Sequence, residues 1–152
     1  MKKEIKAPNE FDIMEPNLIF LAGSIEMGAA ENWQEKTTRL LENTDWTILN
    51  PRRSDWDSSW KQEKDNPKFR EQVEWELKAQ EAAAKILMYF DPNTKSPISL
   101  LELGLFAQSG KMMVVCPQGF WRKGNVDITC ERYGVRQFGT IEEAIIWLLK
   151  EF

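Results

Sequence analysis

The chain has 152 residues, a formal charge of −4 from 20 Lys+Arg against 24 Asp+Glu, and an apolar share of 42%, enough for one core without disulfide or metal support. This balance predicts a single domain over residues 1–152 with a small-molecule partner, and argues against duplex nucleic acid, which calls for a basic face. The absence of histidine excludes Ser-His-Asp and Cys-His catalysis, leaves Cys116 and Cys130 without metal-ligand spacing, and makes carboxylates the prime suspects for acid–base work.

Residues 17–22 (NLIFLA) are a short apolar run closed by Gly23, as in a strand buried on both faces. Residues 29–43 place Trp33, Thr37, Leu40 and Leu41 at helical spacing, and 45–49 (DWTIL) read as a second strand before Asn50-Pro51. The polar, Trp-rich stretch 51–67 reads as one long loop. Residues 69–84 are helix-like, 85–90 (KILMYF) strand-like, 99–109 helical and 111–116 (KMMVVC) a further strand. A turn is expected at Gly124-Asn125, and a weak fifth strand at 135–138. Thr140 with Glu143 is a capping box opening a C-terminal helix. This alternation predicts an α/β fold, a Rossmann/flavodoxin-like three-layer sandwich on a five-stranded parallel sheet. No apolar run approaches the roughly 20 residues of a membrane span, and residues 1–10 lack a signal peptide's hydrophobic segment. The expectation is a cytoplasmic protein with reduced thiols and no membrane partner.

Ligands in such sheets bind at the carboxyl ends of the strands, which directs attention to residues 23–27, 50–60, 91–102 and 117–127. Ser96-Pro97 is a helix-start pair, the serine suited to capping and the proline to the first helical position. Ser99 and Glu102 follow it. Glu102 lies among Leu100, Leu101, Leu103, Leu105 and Phe106, an awkward setting for a solvated side chain, although periodicity alone equally allows an ordinary helical glutamate. On the preceding helix Phe69, Val73, Glu76, Leu77, Gln80 and Ala83 share one face. Glu76 therefore needs a partner or a function, be it an arginine, water or a reacting group. Glu71, Glu74, Lys78 and Glu81 form the solvated side. The loop at 49–60 concentrates Arg52, Arg53, Asp55, Trp56, Asp57 and Trp60. Its rings can stack on a base and its carboxylates can bind hydroxyls, or the tryptophans can serve as pegs on the body. Asn125 and Asp127 follow a later strand, and Gly23 and Ser24 follow the first, where backbone amides can meet a sugar or phosphate. Neither GxGxxG nor GxxxxGK[ST] occurs, so no dinucleotide or P-loop site is indicated.

The motifs FLAGSI (20–25), LNPRR with DWD (49–57), EQVEWEL (71–77) and SPISLLELG (96–104), in this order, resemble the nucleoside 2-deoxyribosyltransferase family, and more closely its deoxyribosyltransferase-like branch. The resemblance runs from about Leu18 to Arg136. It implies cleavage of the N-glycosidic bond of a (deoxy)nucleoside or nucleotide, with Glu102 attacking C1′ and the sugar passing to a second base or to water. Glu76-Leu77 matches an acidic-Leu pair that binds and helps protonate the base, with Glu for Asp. Ser96 falls where the transferases carry aspartate and the related deoxynucleotide N-hydrolases serine, which keeps hydrolysis open. The resemblance implies no cofactor or metal. It also implies a homodimer or higher homo-oligomer in which Asn125 and Asp127 reach a neighbour's pocket. A non-catalytic nucleotide-binding or sensor module is the alternative, and single-stranded nucleic acid fits the acidic balance poorly.

Overall fold

The computed structural model describes residues 3–25, 32–53 and 59–152. In chain order the elements are β1 (Glu4–Lys6), β2 (Leu18–Gly23), α1 (Trp33–Leu40), β3 (Thr47–Asn50), α2 (Pro67–Ala82), β4 (Lys85–Tyr89), α3 (Pro97–Phe106), a 3-10 turn (Ala107–Ser109), β5 (Met112–Val115), α4 (Lys123–Tyr133), β6 (Arg136–Phe138) and α5 (Ile141–Glu151). The six strands form one sheet in the order β1-β3-β2-β4-β5-β6, and every pairing is parallel.

The five anticipated strands are all present. The sixth, β1, pairs with β3 at the edge; its sequence EIK has no apolar run to announce it, because an edge strand buries little. Without β1 the order is that of the flavodoxin-like sheet, whose topological switch point lies beside the first core strand. Here that point lies between β2 and β4, paired from Ile19↔Lys85 to Gly23↔Tyr89.

Alternation along β2 sends Leu18, Phe20 and Ala22 to one layer and Ile19 and Leu21 to the other. The first layer is completed by Trp75 and Ala79 of α2, Leu103 of α3, and Val126 and Cys130 of α4. The second is closed by Trp33 of α1 and by Ile141, Ala144, Ile145 and Leu148 of α5. Thr140 caps α5 as anticipated, its hydroxyl accepting from Glu143 N at 3.1 Å, while Glu143 Oε2 accepts from Gly139 N at 3.1 Å. The helices α1 and α2 lie on opposite faces because the chain steps from β2 outward to β3 and then back across to β4, and right-handed crossovers allow no other arrangement.

Two expectations are corrected. Residues 123–133 form α4, whereas Gly124 and Asn125 had suggested a turn; burial of Val126 and Cys130 against the sheet outweighs the weak helix propensity of those two residues. On α2 the buried side chains are Gln72, Trp75, Ala79 and Gln80, while Leu77 is exposed. The inner face is therefore rotated towards Trp75 and Ala79, while Gln80 and Ala83 remain on it as the spacing suggested. Trp75 enters the core beside Phe11 and Phe20, and its indole donates to Asn9 O at 2.8 Å. Among the described residues, no helix is long and apolar enough to cross a membrane.

Candidate active site

The carboxyl ends of β2 and β4 meet two helices there. α2 turns a polar stripe inward, with Gln72, Glu76 and Gln80 each four residues apart and so on one face. Gln72 Nε2 donates to Glu76 Oε2 at 2.9 Å and to Pro51 O at 2.8 Å. Gln80 Nε2 donates to Glu102 Oε2 at 2.7 Å and to the Glu76 carbonyl at 3.1 Å. Glu102 stands in the second turn of α3, only 7% exposed, with Ser99 buried one turn before it. Gln80 thus ties the Glu102 carboxylate to the main chain at Glu76, whose own carboxylate is held by Gln72.

Burial raises both carboxyl groups. Desolvation lifts Glu76 to about 7 against the bond from Gln72. Desolvation, then repulsion from Glu76, lifts Glu102 to about 8 against the bond from Gln80. With both groups raised to between about 7 and 8, and the charge on Glu76 disfavouring that on Glu102, the two titrate as a coupled pair near neutrality. Such a pair offers one charged oxygen donor and one acid at the same pH.

Beside the pair lies a hydroxyl cluster. Ser24 Oγ is hydrogen-bonded to Ser96 Oγ and, at 3.0 Å, to Thr94 Oγ1, and the latter two meet at 2.7 Å. Ser24 Oγ also accepts from Asp91 N at 2.8 Å. All four residues are buried. Ser96 adopts φ 46, ψ 54 at the start of α3 and makes no side-chain cap bond. Its hydroxyl turns into the cluster instead of capping the helix amides, which corrects the capping expectation, although Pro97 does open the helix. A non-glycine residue held in this left-handed region carries strain of order 1–3 kcal/mol, which the cluster offsets. Trp121 steadies the same loop, its indole donating to Lys95 O at 2.8 Å.

Gly23 is required by packing. At φ +143 a Cβ would stand 2.3 Å from Tyr89 O and 2.9 Å from Trp33 Cζ2. Its bareness lets β2 and β4 close at the switch point, bringing Ser24 to the Asp91–Ser96 segment. From the loop after β3, Arg53 is buried against α2 and bonds Glu71 Oε1 at 3.2 Å and Gln72 Oε1 at 3.4 Å. Trp60 lies under its guanidinium, 5.3 Å from ring centroid to Cζ. Asp55, Trp56 and Asp57 lie outside the described residues.

Asn125 and Asp127 lie on α4, away from this centre. Asn125 lines a groove of about 470 Å³ with Leu100, Leu103, Gly104, Arg122 and Thr129, on the side of α3 turned away from Glu102 at 100° per residue. Asp127 Oδ1 takes Lys123 Nζ at 3.2 Å and Gln137 Nε2 at 2.9 Å. Gln72, Asp91 and Thr94 were not singled out in the sequence. The signal for Gln72 was its place four residues before Glu76, opposite Gln80; a loop threonine such as Thr94 gives none.

No curated protein matches the chain. The family model for proteins described as nucleoside 2-deoxyribosyltransferase like matches residues 16–120, a span that contains the switch point, both carboxylates and the hydroxyl cluster. The chain belongs to the nucleoside 2-deoxyribosyltransferase-like family.

Proposed function

We propose that this protein is an enzyme that cleaves the N-glycosidic bond of a (deoxy)nucleoside or nucleotide, with Glu102 as nucleophile and Glu76 as the acid for the departing base. The observation that carries the reading is the buried Glu102 carboxylate, held by Gln80 and electrostatically coupled to Glu76, at the switch point of the sheet. Glu102 Oε1 attacks C1′, and the C1′–N bond breaks with its electron pair passing to the base. Glu76 gives its proton to that base, and the sugar is held as an ester of Glu102. Water or a second base then attacks C1′, the ester bond breaks, Glu102 regains its charge and Glu76 takes up the proton. The reaction needs no cofactor, since the two carboxyl groups account for every charge and proton moved.

Ser24, Ser96 and Ser99, together with Gly23 at the end of β2, are proposed to bind the sugar or its phosphate, and Asp55, Trp56 and Asp57 the base. Asn125 and Asp127 contribute to the site of a neighbouring copy in a homo-oligomer, a role supported by the exposed Ile98, Leu101 and Leu105 of α3 and Ile128 of α4. The acidic balance of the chain speaks against duplex nucleic acid as substrate. A cytoplasmic setting is proposed from the free, buried thiols of Cys116 and Cys130.

Incubation with a panel of deoxynucleosides and 5′-monophosphates, with and without an acceptor base and followed by chromatography, tests the reading. Release of free base, with capture of the sugar by the acceptor or by water, is the expected result, and Glu102→Ala abolishes it. A chain that binds these compounds and cleaves none is a binding module, and wild-type cleavage by Glu102→Ala removes the nucleophile.

A further inference from the structure

We propose that Gln80 is the positioning residue for Glu102: its amide nitrogen holds Oε2 and leaves Oε1 as the oxygen that attacks. The orientation of the amide is settled by its second bond. The Glu76 main-chain carbonyl, 3.1 Å from Nε2, can only accept, so the nitrogen must face it, and the other N–H is aimed at Glu102 at 2.7 Å. Gln80 is thereby an obligate donor to this carboxylate. Among the described residues, this is the one hydrogen bond of the Glu102 side chain.

The rest of Gln80 fits the same purpose. The residue is fully buried, and its Oε1 has no hydrogen-bond partner among the described residues. An orphan buried acceptor costs about 1–3 kcal/mol, a penalty that an apolar side chain of the same length would avoid. A purely structural filler would thus be better as methionine. The main chain is also fixed: Lys111 Nζ donates to Gln80 O at 2.6 Å, to Ala83 O at 2.9 Å and to Glu81 O at 3.1 Å, tying the end of α2 to the start of β5. Glu76 on α2 is the titratable group coupled to Glu102, while the Lys111 ammonium is engaged with these carbonyls. A donor on a buried carboxylate favours its charged form, and a fixed oxygen keeps the attacking atom in line with C1′.

The proposal rests on the reading of Glu102 as nucleophile, and the test separates the two. Gln80→Met is compared with wild type in three measurements: thermal unfolding, titration of Glu102 by its 13Cδ resonance (assigned with Glu102→Gln), and the rate of base release from whichever panel compound the wild type cleaves, per active site counted by a 2-fluoro-2-deoxyarabinosyl trap. The expected result is a variant that still unfolds cooperatively at pH 5, a Glu102 titration moved to higher pH by about one unit, and a rate per site down about tenfold or more. An unmoved titration, or an unchanged rate per site, overturns the role of Gln80 while leaving Glu102 as nucleophile. A wild type that cleaves nothing, or that carries no adduct on Glu102, ends both. Should Gln80→Met fail to fold, Gln80→Asn serves the same test, since it keeps the polarity and withdraws the donor by one methylene.

Discussion

Glu76 sits where its charge raises the pKa of Glu102, so the two carboxyl groups titrate as one unit across the gap between α2 and α3. Glu76 is the more acidic of the two, so the singly protonated pair holds its proton mainly on Glu102, and the proposed reaction runs through the minor form with the proton on Glu76 and Glu102 ionised. This arrangement makes the pH dependence of the reaction a property of two neighbouring side chains, not of any distant group.

Base release is therefore expected to follow a bell-shaped profile in kcat/KM, with its maximum between about 7 and 8, the values to which burial lifts the two groups. Below that range both carboxyls are protonated and the nucleophile is lost; above it both are ionised and the acid is lost. Glu76→Gln should lower the rate most for poor leaving bases, erase the alkaline limb, and move the acid limb to lower pH because the repulsion has gone. Profiles from pH 5 to 10 check this, and an alkaline limb surviving in Glu76→Gln would assign the second titration to another residue.

Between pH 4.5 and about 8 stability should fall while activity rises. The pKa of Glu102 in the folded chain is raised from 4.5 to about 8, so the folded state holds its proton after the unfolded chain has released it. The resulting stabilisation is complete below pH 4.5 and drains away as pH climbs to about 8. Glu102→Gln does not titrate. Its advantage over wild type should be small at pH 4, grow through that window and level off near about 2–4 kcal/mol at pH 9, at ~1.4 kcal/mol per pH unit of displacement less relaxation of the pair. Urea unfolding at pH 4, 6.5 and 9 reads the difference, and a constant offset across pH would mean that the carboxylate is not held neutral by burial.

Gly23→Ala is expected to destabilise the fold by about 3 kcal/mol, because the new methyl meets main-chain atoms that cannot turn aside. The nearest are Tyr89 O at 2.3 Å and Tyr89 N at 2.8 Å, and φ is +143. The measurement is the thermal midpoint. A variant within a degree or two of wild type would mean that β2 and β4 can part at their ends, and Ser24 would then lose its register with Asp91.

The core of the sheet was legible because β2, β4 and β5 are buried on both faces and so read as unbroken apolar runs, as LIFLAG and MMVV do. α4 was hidden because Gly124 and Asn125 are turn formers locally, and only the sheet beneath Val126 and Cys130 makes a helix the better solution. The orientation of α2 was misjudged for a related reason. Gln80 is inward as its spacing suggested, but Gln72 points inward too, which spacing of apolar residues cannot reveal, since its burial depends on partners supplied by Pro51 and Glu76. Glu102 stood out from its apolar neighbours, and the family motif gave it a role. Its proton, shared with Glu76, depends on how closely α2 approaches α3, which no local pattern encodes.

Each margin of the sheet is a strand of three residues, β1 on one side and β6 on the other. Margins this short give an incoming segment few open amides and carbonyls to pair with. Growth into a ribbon shared between molecules, the usual hazard of an open parallel sheet, is discouraged at both ends. Exposed apolar side chains gather instead on helix surfaces such as that of Ile98, Leu101 and Leu105. Any contact made there rests on side-chain fit, so single substitutions can adjust it without disturbing the sheet that carries the crevice.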